Sequence, residues 1–166
     1  ITASGKSTIR NGLKNDFGEY GAVESDPDAV KETIPEYQEG VAASAKDSAF
    51  VAHDESSDVA GEIGDRALKE RKHVIFDGTG KNLKTMREKI AKAQKEGYQL
   101  QLMMPHVSPD ESKRRADGRA EKSGRYVPHE IIDEAASKVS ANLLQLMDDD
   151  AFDDLKLYDH ERSEEH

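Results

Sequence analysis

The chain has 166 residues, enough for one domain with a real core. Its 24 Lys and Arg against 34 Asp and Glu give a net charge of -10, which argues against a general nucleic-acid binder but not against a nucleotide held by a few amides and arginines. Cysteine is absent, which excludes disulfides and thiolate metal sites and suits a cytoplasmic setting; no run approaches a transmembrane helix in length, and no signal peptide is visible.

The first residues, Ser4-Gly5-Lys6-Ser7-Thr8, fit the second half of a P-loop, G-x-x-x-x-G-K-S/T. Backbone N–H groups of such a loop point at phosphate oxygens, helped by the positive end of the helix that follows. Gly5 admits close backbone approach, Lys6 reaches the β- and γ-phosphates, and the Ser7 hydroxyl holds Mg²⁺. Thr8 completes the cofactor-binding set. The first glycine and the strand that normally precedes it fall ahead of Ile1, so a fragment of a longer protein is expected.

From Ser7 to about Phe17 the spacing of Ile9 and Leu13 predicts a helix. Residues 22–26 read as a short strand, ended by Pro27, and a second helix begins near Asp28. Another helix is expected from Pro35 to about Phe50, and a long one from His53 to about Arg71 with Val59, Ile63, Ala67 and Leu68 inward. His73–Asp77 is an apolar strand running into Gly78-Thr79-Gly80. A helix over Leu83–Lys95 and a strand over Tyr98–Met104 follow. Ser108-Pro109-Asp110-Glu111 is a helix start, with Ser as cap, Pro first and acids in the opening turn. After the loop Gly124–Pro128, a helix to Met147 turns Ile131, Ile132, Ala135, Val139, Leu143 and Leu146 inward. Leu155–Tyr158 is a last short strand. Strands alternating with helices predict an α/β, P-loop NTPase-like three-layer fold with a mostly parallel sheet, lacking its first strand, in a single domain over 1–166.

Three constellations carry chemistry. Asp28 is the candidate general base of a phosphoryl transfer, which needs a carboxylate to take the proton of the attacking hydroxyl. Helix capping would equally explain Asp28, and Asp26 stands as a water-mediated Mg²⁺ ligand. Arg115, Arg119 and Arg125 are candidates to neutralise a transferring phosphoryl group, with a solvated basic helix face as the plainer alternative. Asp77-Gly78-Thr79-Gly80 exposes Thr79 to a substrate hydroxyl or phosphate, and Asp77 alternatively suits a metal carboxylate at a strand end. His53-Asp54-Glu55 does not fit H-E-x-x-H and reads as an acidic helix start.

In order along the chain, SGKST, SDPDAVKETIPEY, HDESSDVAGEI, VIFDGTGKN and a basic helix ending GRYVP resemble the zeta toxin family of P-loop kinases. The resemblance implies an ATP- and Mg²⁺-dependent kinase that phosphorylates the 3′-hydroxyl of UDP-N-acetylglucosamine within a toxin–antitoxin system. It implies Lys6 and Ser7 at the phosphates and Mg²⁺, Asp28 as base, and Glu62 and Thr79 at the sugar-nucleotide. It also implies two phosphate-binding arginines, matched to Arg119 and Arg125 with Arg115 as a rival, and an antitoxin protein as partner. No nucleic acid or membrane partner is expected.

Overall fold

The computed structural model describes residues 6–17, 21–42, 52–123 and 127–159. The elements run α1 (Lys6–Asp16), β1 (Val23–Ser25), α2 (Pro27–Lys31), α3 (Pro35–Ala42), α4 (His53–Lys69), β2 (Val74–Phe76), α5 (Leu83–Lys95), β3 (Gln101–His106), α6 (Pro109–Ser123), α7 (His129–Asp148) and β4 (Asp154–Asp159). This is a mixed α/β architecture whose described strands form two parallel pairs, β1 with β2 and β3 with β4. Contacts divide the chain into two compact units, Lys14–Gly78 and Ile1–Leu13 together with Thr79–His166.

In the unit Lys14–Gly78, β1 and β2 pair in the register Val23 with Val74 through Ser25 with Phe76. The pair is extended at its ends by Val23 N–H to His73 O (2.8 Å) and Asp77 N–H to Ser25 O (3.1 Å). Helix α4 lies on it through small side chains. Ser56, Ala60, Gly64 and Ala67 are buried, and recur at the three- and four-residue steps that put them on one face. The fully buried Ser25 hydroxyl donates to Ala60 O at 2.7 Å. A β-carbon on Gly64 would fall on the edge of the Phe76 ring and 3.3 Å from Ser25 Oγ. The expected inward position of Val59 is corrected here: it is 38% exposed, because it stands one residue, or about 100° of helix, from the buried Ala60.

In the other unit, β3 and β4 pair over six residues, from Gln101 with Asp154 to His106 with Asp159. The strand begins three residues later than its apolar pattern predicts, because the Leu100 N–H is taken by the Asp153 carboxylate (2.7 Å) instead of a ladder partner. Ile132 and Leu146 of α7 are almost wholly buried, with Ala135 and Val139 between them. Ile131, expected inward, is 46% exposed, since it stands one residue, or about 100° of helix, from Ile132. Asn142 donates to Gly80 O (2.8 Å) and Lys81 O (2.9 Å), fixing the chain entering α5 against α7. Asn82 caps α5 by accepting from Thr85 N–H at 3.1 Å.

Helices α6 and α7 are joined by two polar rungs: the ion pair of Lys113 with Asp133 at 2.8 Å and the hydrogen bond between His129 Nε2 and the Asp117 carboxylate at 2.9 Å. The partners step by four residues in opposite directions, as antiparallel neighbours must. Within α6, Ser108 Oγ accepts from Glu111 N–H (3.3 Å), so the expected serine cap is present. Glu111 in turn receives both Arg114 and Arg115, which draw its carboxyl from an ordinary 4.5 to about 2.

Two predictions follow from this packing. Gly64→Ala gains helix propensity but overpacks the α4 contact, for a net loss of about 1–2 kcal/mol in urea unfolding. Glu111 is held ionised in the fold far below its unfolded value. Its contribution to stability is therefore complete above pH 4.5 and lost as pH falls toward 2. Glu111→Gln should flatten that part of the acid-unfolding curve measured by circular dichroism.

Candidate functional site

Lys6 opens α1, an eleven-residue helix with no acid in its first turn. The positive end of this helix is therefore not neutralised by its own side chains, which is the electrostatic condition for binding phosphate. Ser4 and Gly5 lie outside the described residues, as does the Ser7 side chain; Thr8 is exposed. The donor set fits a Mg²⁺–nucleotide: a lysine and consecutive hydroxyl residues at a helix start, where Mg²⁺ takes most of its remaining ligands from phosphates and water. Among the described residues no three His, Asp or Glu side chains gather into a protein metal cage.

The segment around Asp28 is decided by a capping choice. Asp26 has extended backbone (φ -128°, ψ 107°), and its Oδ1 accepts from Asp28 N–H at 2.9 Å. Pro27, at the first helical position, needs no N–H partner and starts α2. Asp26 is therefore the cap, 6% exposed, rather than a carboxylate open to a water-bound metal. Asp28 is two residues further on, exposed in the first turn. The alternative in which Asp28 serves as the cap is removed.

One residue near it was not singled out from the sequence. Lys31 is buried (7% exposed) on the same short helix, and its ammonium stands 6.0 Å from the centre of the Tyr37 ring, within cation–π range. The three-residue step from Asp28 to Lys31 is visible in the sequence, but burial of the lysine is not. Glu62 is exposed on α4, in the same unit as Asp28. Asp77 follows β2 and is half-buried.

Thr79 is exposed, and its Oγ1 lies 3.5 Å from Lys81 N. With Lys6 and α6 it belongs to the unit containing Thr79–His166, whereas Asp28, Glu62 and Asp77 belong to Lys14–Gly78. Arg119 is exposed on α6. Arg115 shares its face, but its side chain is only 12% exposed and its Nε donates to Glu111 at 2.6 Å. The two arginine candidates thus differ in kind: one is solvent-facing and the other is packed against a carboxylate. Arg125 lies outside the described residues. Glu111, expected only as an acid of the helix start, was also not singled out; its signal was the four-residue step to Arg115 in the Glu-before-Arg order that helices favour.

Two clefts in the same unit are lined by other residues. One, of about 160 Å³, lies between α5 and the end of α7, bordered by Arg87 and Asp149; the other, of about 340 Å³, lies at the end of β3 beside Asp133 and Ser137. None of the residues expected from the sequence lines either.

Similarity to known proteins agrees with this architecture. No curated protein matches the chain. A solved structure from the PezAT chromosomal toxin–antitoxin system of the human pathogen Streptococcus pneumoniae superposes with a TM-score of 0.72 at 20% sequence identity, covering 98% of this chain and 67% of that one. At that identity the likeness establishes the fold, which is α/β and P-loop NTPase-like. The family model for zeta toxin matches residues 1–165, so the chain belongs to the zeta toxin family, a family of ATP-using P-loop kinases.

Proposed function

We propose that this protein is a phosphotransferase that moves the γ-phosphoryl group of ATP to a hydroxyl of a sugar-nucleotide such as UDP-N-acetylglucosamine. The observation that carries the reading is the division of labour at the head of α2, where Asp26 caps the helix and Asp28 keeps an exposed carboxylate. A kinase base must be open to the acceptor while its neighbours hold the backbone.

In this reading Asp28 takes the proton from the acceptor hydroxyl as its oxygen bonds to the γ-phosphorus. The bond from that phosphorus to the bridging oxygen breaks, and ADP leaves. Lys6 binds the β- and γ-phosphates with the amides of Ser4 and Gly5, and Ser7 and Thr8 complete the loop. The Ser7 hydroxyl would hold Mg²⁺, which would supply charge neutralisation along the phosphate chain. Arg119 and Arg125 stabilise the phosphoryl group in transit, and Glu62 and Thr79 hold the sugar-nucleotide. The residues act as one kinase domain in the cytoplasm, where ATP is available, with an antitoxin protein as partner. The family membership supports the donor and the reaction class, and the toxin–antitoxin context of the similar structure supports the partner.

Asp28→Asn keeps the shape of the side chain and removes the base. Its turnover should fall by roughly 10²–10⁴-fold with nucleotide affinity unchanged, read as ADP release beside titration with a fluorescent ATP analogue. Equal loss of both would remove Asp28 from the base role. Lys6→Ala should instead weaken ATP binding and turnover together. Mass spectrometry of ATP reactions offered UDP-sugars, nucleosides and aminoglycosides should show one added phosphoryl group on a UDP-sugar. Transfer to a nucleoside or an aminoglycoside alone would refute the acceptor class and leave the kinase reading in place.

A further inference from the structure

The turn that carries Thr79 is held from α7. Gly80 stands at φ +73°, in the left-handed region that glycine enters without strain, and the chain then enters α5 at the Asn82 cap. Two residues of α7 meet this turn. The buried Val139 brings its methyls within 3.6 and 3.7 Å of where a β-carbon on Gly80 would stand. Three residues on, and so on the same side of the helix, Asn142 Nδ2 donates to Gly80 O at 2.8 Å and to Lys81 O at 2.9 Å. Of the two ends of that side-chain amide only the nitrogen can donate to carbonyl oxygens, so its orientation is fixed by its partners. Asparagine is a weak helix former in the middle of a twenty-residue helix, and the contact with the turn gives it a tertiary reason to be there.

The peptide unit between Gly80 and Lys81 connects Asn142 to Thr79. The unit is trans, so its C=O and N–H point to opposite sides. Its oxygen, Gly80 O, is bonded to Asn142, and its nitrogen, Lys81 N, lies 3.5 Å from Thr79 Oγ1. A hydrogen bond on one edge of the plane therefore orients the N–H that the exposed Thr79 hydroxyl faces on the other.

We propose that Asn142 is a positioning residue for the acceptor: through the Gly80–Lys81 peptide it holds Thr79 in the orientation in which its hydroxyl meets a sugar-nucleotide. The inference rests on the proposed reaction for the role of Thr79 and deepens it by naming the residue that sets that group. A turn ordered before the acceptor arrives removes an entropic cost that binding would otherwise meet.

The test uses UDP-N-acetylglucosamine as probe and the methyl resonance of Thr79 as readout, so binding is followed without turnover. The sugar-nucleotide should shift the Thr79 methyl signal of the unaltered protein. Asn142→Ala favours the helix while removing the two hydrogen bonds to the turn. It should move the Thr79 methyl signal before any ligand is added and weaken UDP-N-acetylglucosamine binding by roughly five- to tenfold, the scale of one or two lost hydrogen bonds. Affinity for a fluorescent ATP analogue should not change. In the ATP reaction KM for the sugar-nucleotide should rise by the same factor while KM for ATP holds, a split that general loosening of the fold does not produce. Thr79→Val should weaken the sugar-nucleotide at least as much, and the double variant no further, because Asn142 acts through Thr79. Gly80→Ala, which strains the same turn and leaves Asn142 in place, replaces Asn142→Ala if that variant does not fold. A Thr79 methyl unmoved by the sugar-nucleotide, wild-type binding in Asn142→Ala or Gly80→Ala, equal losses for ATP and sugar-nucleotide, or losses that multiply in the double variant would each overturn the proposal. If the sugar-nucleotide binds as expected and no phosphoryl transfer occurs, the kinase reading fails alone; if transfer proceeds and Asn142→Ala keeps the wild-type KM, this inference fails alone.

Discussion

The closest constraint in the unit Lys14–Gly78 is the approach of α4 to the β1–β2 pair. Gly64 sits where any side chain would meet Phe76, and the buried Ser25 hydroxyl bonds a backbone oxygen of α4 directly. A hydroxyl so placed would cost roughly 1–3 kcal/mol if left unpaired, so the helix and the strand pair hold each other at one separation. Ser25 is the last residue of β1, and Asp26, the cap of α2, follows it at once. The position of the Asp28 carboxylate is thus inherited from a packing contact made by Ala60 and Gly64, well away in the sequence.

A different solution orders charge in α6. The helix interleaves Lys113, Arg114, Arg115, Arg119 and Lys122 with Asp110, Glu111, Asp117 and Glu121. Glu111 receives two arginines, while Lys113 and Asp117 use the other side of the helix to tie it to α7 through Asp133 and His129. Glu111 and Asp133 are each placed against cations that would otherwise sample many rotamers. The cost of ordering these long side chains is met during folding.

Much of the fold was legible. The helix over Leu83–Lys95 coincides with α5, since its apolar period and the Gly97 stop agree. The serine cap before α6 and the parallel pairing of alternating strands were also readable from residue types. On α4 periodicity placed Ala67 and Leu68 inward, where they are buried, and missed the small residues of the contact face. Counting large apolar residues put Val59 inside, whereas the face that packs is made of Ser56, Ala60 and Gly64. Small residues leave little hydrophobic signal, yet they are what allows a helix to lie close to a sheet.

The sequence by itself determined the chemical inventory: a glycine-lysine-serine run at a helix start, a carboxylate after a short strand, a threonine between glycines and arginines spaced along a helix. Those assignments depend on residue type and local spacing, which the chain carries whether folded or not. Only the tertiary structure decided which of two neighbouring aspartates caps α2, that Lys31 is buried beneath Tyr37, and that Arg115 is packed against Glu111 while Arg119 faces solvent. Each of these turns on burial and on the separation of groups brought together by packing, and two side chains of the same type differ in function when one is desolvated and the other is not.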